Sequence, residues 1–368
     1  MAEGLIRIAA GPGEVRTALI VEGRLAEAWV EWPARPDGVG DLHLGRVTAL
    51  APALAGAFVT LAEGPAAFLP ESEAAATRQP IARSVQEGQL LAVRVTRAAQ
   101  GSKGPRVTAR LGANAPPAEG PPRLLTRGPS ALERLARAHP TLPILAEPAA
   151  LRARLPATLR PRLAPGGFDA ETDEAFAALG EAIVPLPGGG RLTIQPTQAL
   201  TAIDVDTGTD RDAAGTVNLR AIAETARQIR LRNLGGAILL DLAGMAVKAR
   251  AALEAPLAAA LARDPGGARL LGLTRLGLFE IQRPRIHPPL NEKLGTPLAH
   301  GLAALRRVVR EQQAAPGAAL ALRAAPEVLA ALEALPGALA EAEAALTRFL
   351  RLLPDPGLRP GQEEVTAA

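Results

Sequence analysis

The chain has no cysteine, no tyrosine and only three lysines (Lys103, Lys248 and Lys293) in 368 residues. Without cysteine there is no disulfide and no thiolate metal site, which fits a reducing, cytoplasmic location. The four histidines, His43, His139, His287 and His300, are scattered, so no structural zinc is expected. No run is apolar enough over about 18 residues to suggest a membrane span. The N-terminus carries Glu3 and lacks the basic-then-apolar pattern of a signal peptide. No G-x-x-x-x-G-K-[ST] occurs, which excludes a P-loop enzyme.

Arginine is what the chain has in quantity. Net charge is +4, yet the pI is 10.4, because nearly every basic residue is arginine. Arginine bonds phosphate with a planar fork and stacks on bases. A GC-rich genome produces the same bias together with abundant Ala, Gly and Pro. The composition therefore permits nucleic-acid binding without requiring it.

The chain is organised around residues 201–245. Thr201-Ala202-Ile203-Asp204-Val205-Asp206 and Gly236-Ala237-Ile238-Leu239-Leu240-Asp241-Leu242 read as two acidic-ended strands. Residues 216–232 between them carry Val217, Ile222, Ala226 and Ile229 at helical spacing, with Arg220, Arg227 and Arg230 on other faces. Strand, helix, strand at this spacing is a right-handed crossover, so the strands should be parallel. Asp204 and Asp241 then fall toward the carboxyl ends, where open α/β sheets bind ligands. A lone Asp there often only caps the next helix. Two of them, with Asp206 nearby and no thiolate, suit a hard cation such as Mg²⁺.

These residues, with Ala226-Arg227-Gln228-Ile229-Arg230-Leu231-Arg232-Asn233-Leu234-Gly235-Gly236 and Thr274-Arg275-Leu276-Gly277-Leu278-Phe279-Glu280-Ile281-Gln282-Arg283-Pro284-Arg285, resemble the ribonuclease E/G family. The resemblance runs from the N-terminus to about Glu292 and more weakly beyond. It implies an α/β multi-subdomain fold. Residues 1–37 and 123–182 would form an RNase H-like subdomain in two parts. Residues 38–113 would form an S1-like RNA-binding barrel of OB type, and 114–122 a linker. Residues 183–292 would be a DNase I-like catalytic subdomain, and 293–368 a small C-terminal α/β domain.

Within that frame, residues 5–9, 15–21 and 24–31 read as strands, and 39–111 as five strands of a small barrel. Phe58 and Phe68 fall on the family's base-stacking positions and Lys103 on its basic RNA contact; the bland alternative is that both Phe are barrel core. A helix is expected to start after Ser130, and residues 142–168 give no assignment. A helix is expected over 168–183, with Ala175, Phe176, Leu179 and Ile183 as its buried stripe. Ile183-Val184-Pro185-Leu186 and Arg191-Leu192-Thr193-Ile194 read as strands joined by a hairpin turn at Pro187-Gly188-Gly189-Gly190. A helix over 248–261, a strand over 270–274, helices over 298–313 and 326–346, strands over 319–323 and 349–353, and a frayed Glu-rich end complete the expectations.

The resemblance implies a Mg²⁺-dependent endoribonuclease acting on single-stranded RNA such as mRNA or rRNA precursors, leaving 5′-phosphate and 3′-hydroxyl ends. Mn²⁺ is the natural substitute. Asp204 and Asp241 would be catalytic metal ligands, with Asp206 as third catalytic member where the family usually has Asn. Arg275, Arg283 and Arg285 would contact RNA near the scissile phosphate. Two departures stand out. The linker replaces a roughly hundred-residue module that binds an RNA 5′-monophosphate, so cleavage should ignore the 5′ end. Lys293-Leu294-Gly295 stands where the family has a zinc-linking CxxC, so a homodimer, if formed, is not zinc-linked. The competing readings are a catalytically weak RNA-binding protein on the same scaffold and a ribosome-associated structural factor.

Overall fold

The computed structural model describes residues 4–62, 64–77, 79–112 and 116–367. Glu3, Asn114 and Ala115 of the expected N-terminal and linker patterns, and Ala368, lie outside them. Two compact units divide the chain: Met1–Pro36, Ala131–Pro284 and Pro289–Ala368 form one, and Asp37–Ser130 with Arg285–Pro288 form the other. No described helix is long and apolar enough to cross a membrane.

The first unit opens with β1 (Gly4–Gly11), β2 (Glu14–Val21) and β3 (Arg24–Glu31), an antiparallel meander. In the second unit, β4 (Leu42–Ala51), β5 (Gly56–Thr60), β6 (Ala67–Pro70), β7 (Leu90–Arg97) and β8 (Arg106–Thr108) close into a five-stranded barrel, with β4 pairing both β5 and β7. A further strand, β9 (Arg123–Thr126), adds to β4. Alternating side chains fill the barrel with Val47, Val59, Leu69, Val93, Val95 and Val107.

Back in the first unit, β10 (Ile144–Glu147) and β11 (Leu163–Pro165) extend the opening sheet in parallel with β1, giving the order β11-β10-β1-β2-β3. The Pro- and Arg-rich stretch 142–168 thus supplies two short strands whose pattern is too brief to read from sequence. The next sheet holds β12 (Ile183–Pro185), β13 (Arg191–Pro196), β14 (Thr201–Asp206), β15 (Gly236–Asp241), β16 (Arg269–Leu273) and β17 (Phe279–Arg283), in the order β12-β13-β14-β15-β17-β16. The helix Ala214–Leu231 makes the crossover from β14 to its parallel neighbour β15. It buries Val217, Ile222, Ala226 and Ile229, while Arg227 and Arg230 donate from Nε to the carbonyls of Leu25 and Ala26 on β3. The last sheet is β18 (Leu320–Ala324) between β19 (Arg351–Pro354) and β20 (Glu364–Ala367).

Several boundaries differ from the sequence expectation. The helix after Phe168 runs only over Ala170–Ala177, capped by Asp169; Phe176 and Leu179 are buried, but Ile183 is exposed and starts β12. The helix expected over 248–261 is broken into Val247–Arg250, a 3-10 turn and Glu254–Leu261, with Pro256 in the first turn of the last piece, where its missing N–H costs nothing. The one expected over 326–346 divides into Pro326–Glu333 and Ala338–Leu346 at Pro336-Gly337, where Gly337 has φ +84°. The Glu-rich end is not frayed. It forms β20 because Val365 packs on the C-terminal core and the strand pairs with β18 along its length.

Candidate functional site

Along β14, Thr201, Ile203 and Val205 are buried, and on β15 Ile238 and Leu240 are buried, so the acidic residues take the other phase. The buried phase packs on the helices Ala214–Leu231 and Glu254–Leu261 in one core with Phe279 and Ile281. Asp204 and Asp241 are direct partners in the parallel β14–β15 register, so their side chains leave the same open face at adjacent strand ends. Asp206 lies two residues on, same phase. No cluster of three or more acids or histidines suited to a metal exists among the described residues. The pair therefore forms no closed cage. Two neighbouring carboxylates on an open face do fit Mg²⁺, which keeps several waters and takes one or two protein carboxylates beside substrate phosphate.

The three carboxylates are held differently. Asp204 forms no ion pair among the described residues. Asp206 pairs across the strands with its register partner Arg191, Nη2 to Oδ2 at 2.5 Å, and accepts the Gly208 N–H at 2.8 Å on Oδ1. The Gly208 N–H and then Arg191 hold its carboxyl below the ordinary value. Asp241 Oδ1 accepts from Arg250 Nη1 at 2.6 Å. The loop after Asp241 is fixed by buried Asn218, whose amide exchanges two hydrogen bonds with the Ala243 backbone at 2.9 and 3.1 Å.

The three candidate arginines separate. Arg275 is exposed in the turn joining β16 and β17. Arg283 is buried at the end of β17, in phase with Phe279 and Ile281. Its Nε and Nη2 bond both oxygens of Asp264 at 2.7 and 3.2 Å, and Nη1 bonds Asn233 Oδ1 and the Leu234 carbonyl. Gly266 lies against the guanidinium so closely that a Cβ would meet Nη2 at 2.2 Å. Arg283 is thus a corner-post of the fold, facing away from the carboxylates, and an RNA contact for it is corrected accordingly. Arg285 belongs to the other unit. Alternation in Phe279-Glu280-Ile281-Gln282-Arg283 was the signal for Arg283: it shares a face with two large apolar residues.

On the barrel, Phe58 and Phe68 are register partners of β5 and β6, with ring centroids 5.7 Å apart edge to face. Neither belongs to the barrel core. Their neighbours Ala57, Val59 and Leu69 point inward, so by alternation both rings lie on the outside. Gly56 makes room for the Phe68 ring, since a Cβ there would come 2.3 Å from its Cζ. Arg106 is the register partner of Phe68, and Arg97 that of Arg106. Burial first, then the like charges of Arg106 and Arg285, pull the Arg97 guanidinium below its ordinary value. Lys103 is exposed in the loop between β7 and β8. The sequence pattern did not single out Arg97, Arg106, Arg191, Arg250 or Asn218, because each acquires its neighbours by cross-strand or long-range packing.

The geometry defines an α/β protein with an acidic pair at adjacent parallel strand ends and a separate barrel that displays aromatic and cationic side chains. Residues 168–286 match the model of the Ribonuclease E/G family. Ribonuclease E of Escherichia coli (strain K12) is 40% identical over 30% of this chain and 11% of its own length. Ribonuclease E of Synechocystis sp. is 37% identical over 33% of this chain and 19% of its own. These alignments cover less than a fifth of each relative. Ribonuclease G of Haemophilus influenzae is 26% identical over 81% of this chain and 83% of its own length. The solution structure of GSP13 from Bacillus subtilis is 27% identical over 23% of this chain, at a TM-score of 0.19, a superposition too poor to bear on the fold.

Proposed function

We propose that the protein is a divalent-metal-dependent endoribonuclease of single-stranded RNA. The observation that carries this is the in-register placement of Asp204 beside Asp241 on one open sheet face. Asp204 and Asp241 hold Mg²⁺, with Mn²⁺ as substitute. Bound there, the ion supplies polarisation of a phosphate oxygen and a lowered pKa for water. The chain's own residues do the rest. Arg275, exposed on its turn, binds the phosphate and offsets developing charge. Arg191 cancels the charge of Asp206, so that an Asp at this position need not repel the substrate. Phe58 and Phe68 stack bases while Lys103, Arg97, Arg106 and Arg285 engage the backbone. The products carry 5′-phosphate and 3′-hydroxyl ends.

The subdomain assignment proposed with it is RNase H-like for 1–37 and 123–182, S1-like for 38–113, a linker at 114–122, DNase I-like for 183–292 and a small C-terminal domain for 293–368, with β9 added to the barrel. Lacking the sensor module, the enzyme cuts 5′-hydroxyl and 5′-monophosphate RNA alike. It works in the cytoplasm on mRNA or rRNA precursors, and any homodimer forms without a zinc link. The test is end-labelled single-stranded RNA incubated with Mg²⁺ or EDTA. Internal cuts that need the metal, are equal for both 5′ ends and vanish in Asp241→Asn support the proposal. Binding without cleavage under any metal favours the second reading, a catalytically weak RNA-binding protein. The outward Phe58–Phe68 pair motivates that reading, since it owes nothing to the carboxylates.

A further inference from the structure

Arg250 sits where the two halves of the candidate site meet. Its side chain is 13% exposed. Nη1 donates to Asp241 Oδ1 at 2.6 Å and to the Gly277 carbonyl at 2.8 Å, and Nε donates to the Met245 carbonyl at 3.1 Å. Gly277 belongs to the turn that carries Arg275. That turn is closed by the Gly277 N–H to the Thr274 carbonyl at 3.0 Å, the Leu278 N–H to Thr274 Oγ1 at 3.0 Å, and the Thr274 N–H to the Leu278 carbonyl at 2.8 Å. Gly277 has φ +85°, and a Cβ there would come 3.1 Å from Val247 Cγ2, so the turn is pressed onto the helical segment that bears Arg250.

We propose that Arg250 is a positioning residue: it fixes the rotamer of Asp241 and locks the Arg275-bearing turn beside it. This rests on the reading of Asp204 and Asp241 as the site. Two of the three acceptors are neutral backbone carbonyls, so the guanidinium keeps its anchorage when the carboxylate shares its charge with a bound cation. Oδ1 is held by the planar group, while the Asp241 side chain as a whole stays 47% exposed and so open to a ligand. The Arg191–Asp206 pair is unlike this. It is about half exposed on both sides and compensates charge more than it orients.

Lysine separates orientation from charge, because an ammonium keeps the charge but cannot span the three acceptors as a rigid fork. The full chain is prepared as wild type, Arg250→Lys and Arg250→Ala, with Arg250→Gln in reserve should the alanine variant fail to fold. Cleavage of single-stranded RNA is measured for kcat and KM. Amide exchange is followed at Gly277 and Leu278. Positioning gives a kcat lower by about 10²-fold in both Lys and Ala variants, with KM within about threefold. Wild-type kcat in Arg250→Lys, or near-wild-type kcat in Arg250→Ala, overturns it. If the wild-type chain cuts no RNA, the endoribonuclease reading falls and exchange decides. Exchange faster by about 10-fold at Gly277 and Leu278 in both variants, with β14 and β15 protection unchanged, supports the clamp. Unchanged exchange overturns it.

Discussion

The sheet face that carries Asp204 and Asp241 and the barrel face that carries Phe58 and Phe68 use arginine in opposite ways. On the sheet, Arg191 and Arg250 are each tied to a carboxylate, at 2.5 and 2.6 Å. On the barrel, Arg97 and Arg106 form no ion pair among the described residues and stand beside each other across the strands. Paired arginines set the charge and orientation of acids and leave little net field. Unpaired ones gathered around aromatic faces attract a polyanion. On the proposed function, one surface holds a few groups in fixed geometry and the other a long, charged, repetitive ligand. The two jobs should therefore separate under mutation.

The largest separation is expected from Asp204→Asn or Asp241→Asn. Cleavage should fall by more than about 10²-fold, the upper end for losing a group that merely supports a ligand, while RNA affinity stays within about twofold. Fluorescence anisotropy alongside the cleavage assay checks both halves. A parallel loss of binding would mean that the two faces are one site.

Next comes Arg283→Met, which tests whether an arginine inside the family motif serves the fold rather than the ligand. Leaving Asp264 buried without its partner should cost about 3 kcal/mol of stability, read as a lower denaturant midpoint. The same pair has a pH signature. Burial pushes the Asp264 carboxyl up, but the Arg283 hydrogen bonds and charge, with the Ala268 and Gly266 N–H groups, outweigh it and leave it below the ordinary value. A carboxyl lowered in the folded state contributes stability that is present above its unfolded pKa and is lost as pH falls through the folded one. Asp264→Asn should flatten this acid limb of stability, measured by denaturation from neutral pH down to pH 3.

The barrel should respond in binding alone. Phe58→Ala with Phe68→Ala removes stacking worth about 1–3 kcal/mol per base, so affinity should drop by about 10-fold or more. Cleavage at saturating RNA should hardly change. Equal loss of kcat would erase the distinction between the faces. The smallest effect is expected from Arg106→Ala, which should lower the slope of log affinity against log salt by about 0.7 if it holds one phosphate of a single strand.

Much of this was legible in the sequence because it depends on period. Alternation along β14 and β15 sorts Asp204, Asp206 and Asp241 from Ile203, Val205, Ile238 and Leu240, and the helical spacing of Val217, Ile222, Ala226 and Ile229 names the crossover. The turn glycines 188–190 and the five barrel strands were readable for the same local reasons. Short elements were not: β10, β11 and β20 hold four residues or fewer and exist because neighbouring strands offer unpaired edges. What only the tertiary structure decided is which arginine does what. Arg191 and Arg250 look alike in sequence, alternation puts Arg283 on a buried face without naming its partner, and a guanidinium bonds whatever carboxylate or carbonyl comes within reach. Cross-strand register brought Arg191 to Asp206, the fold of the 247–250 turn brought Arg250 to Asp241, and burial beside Asp264 took Arg283 out of the site.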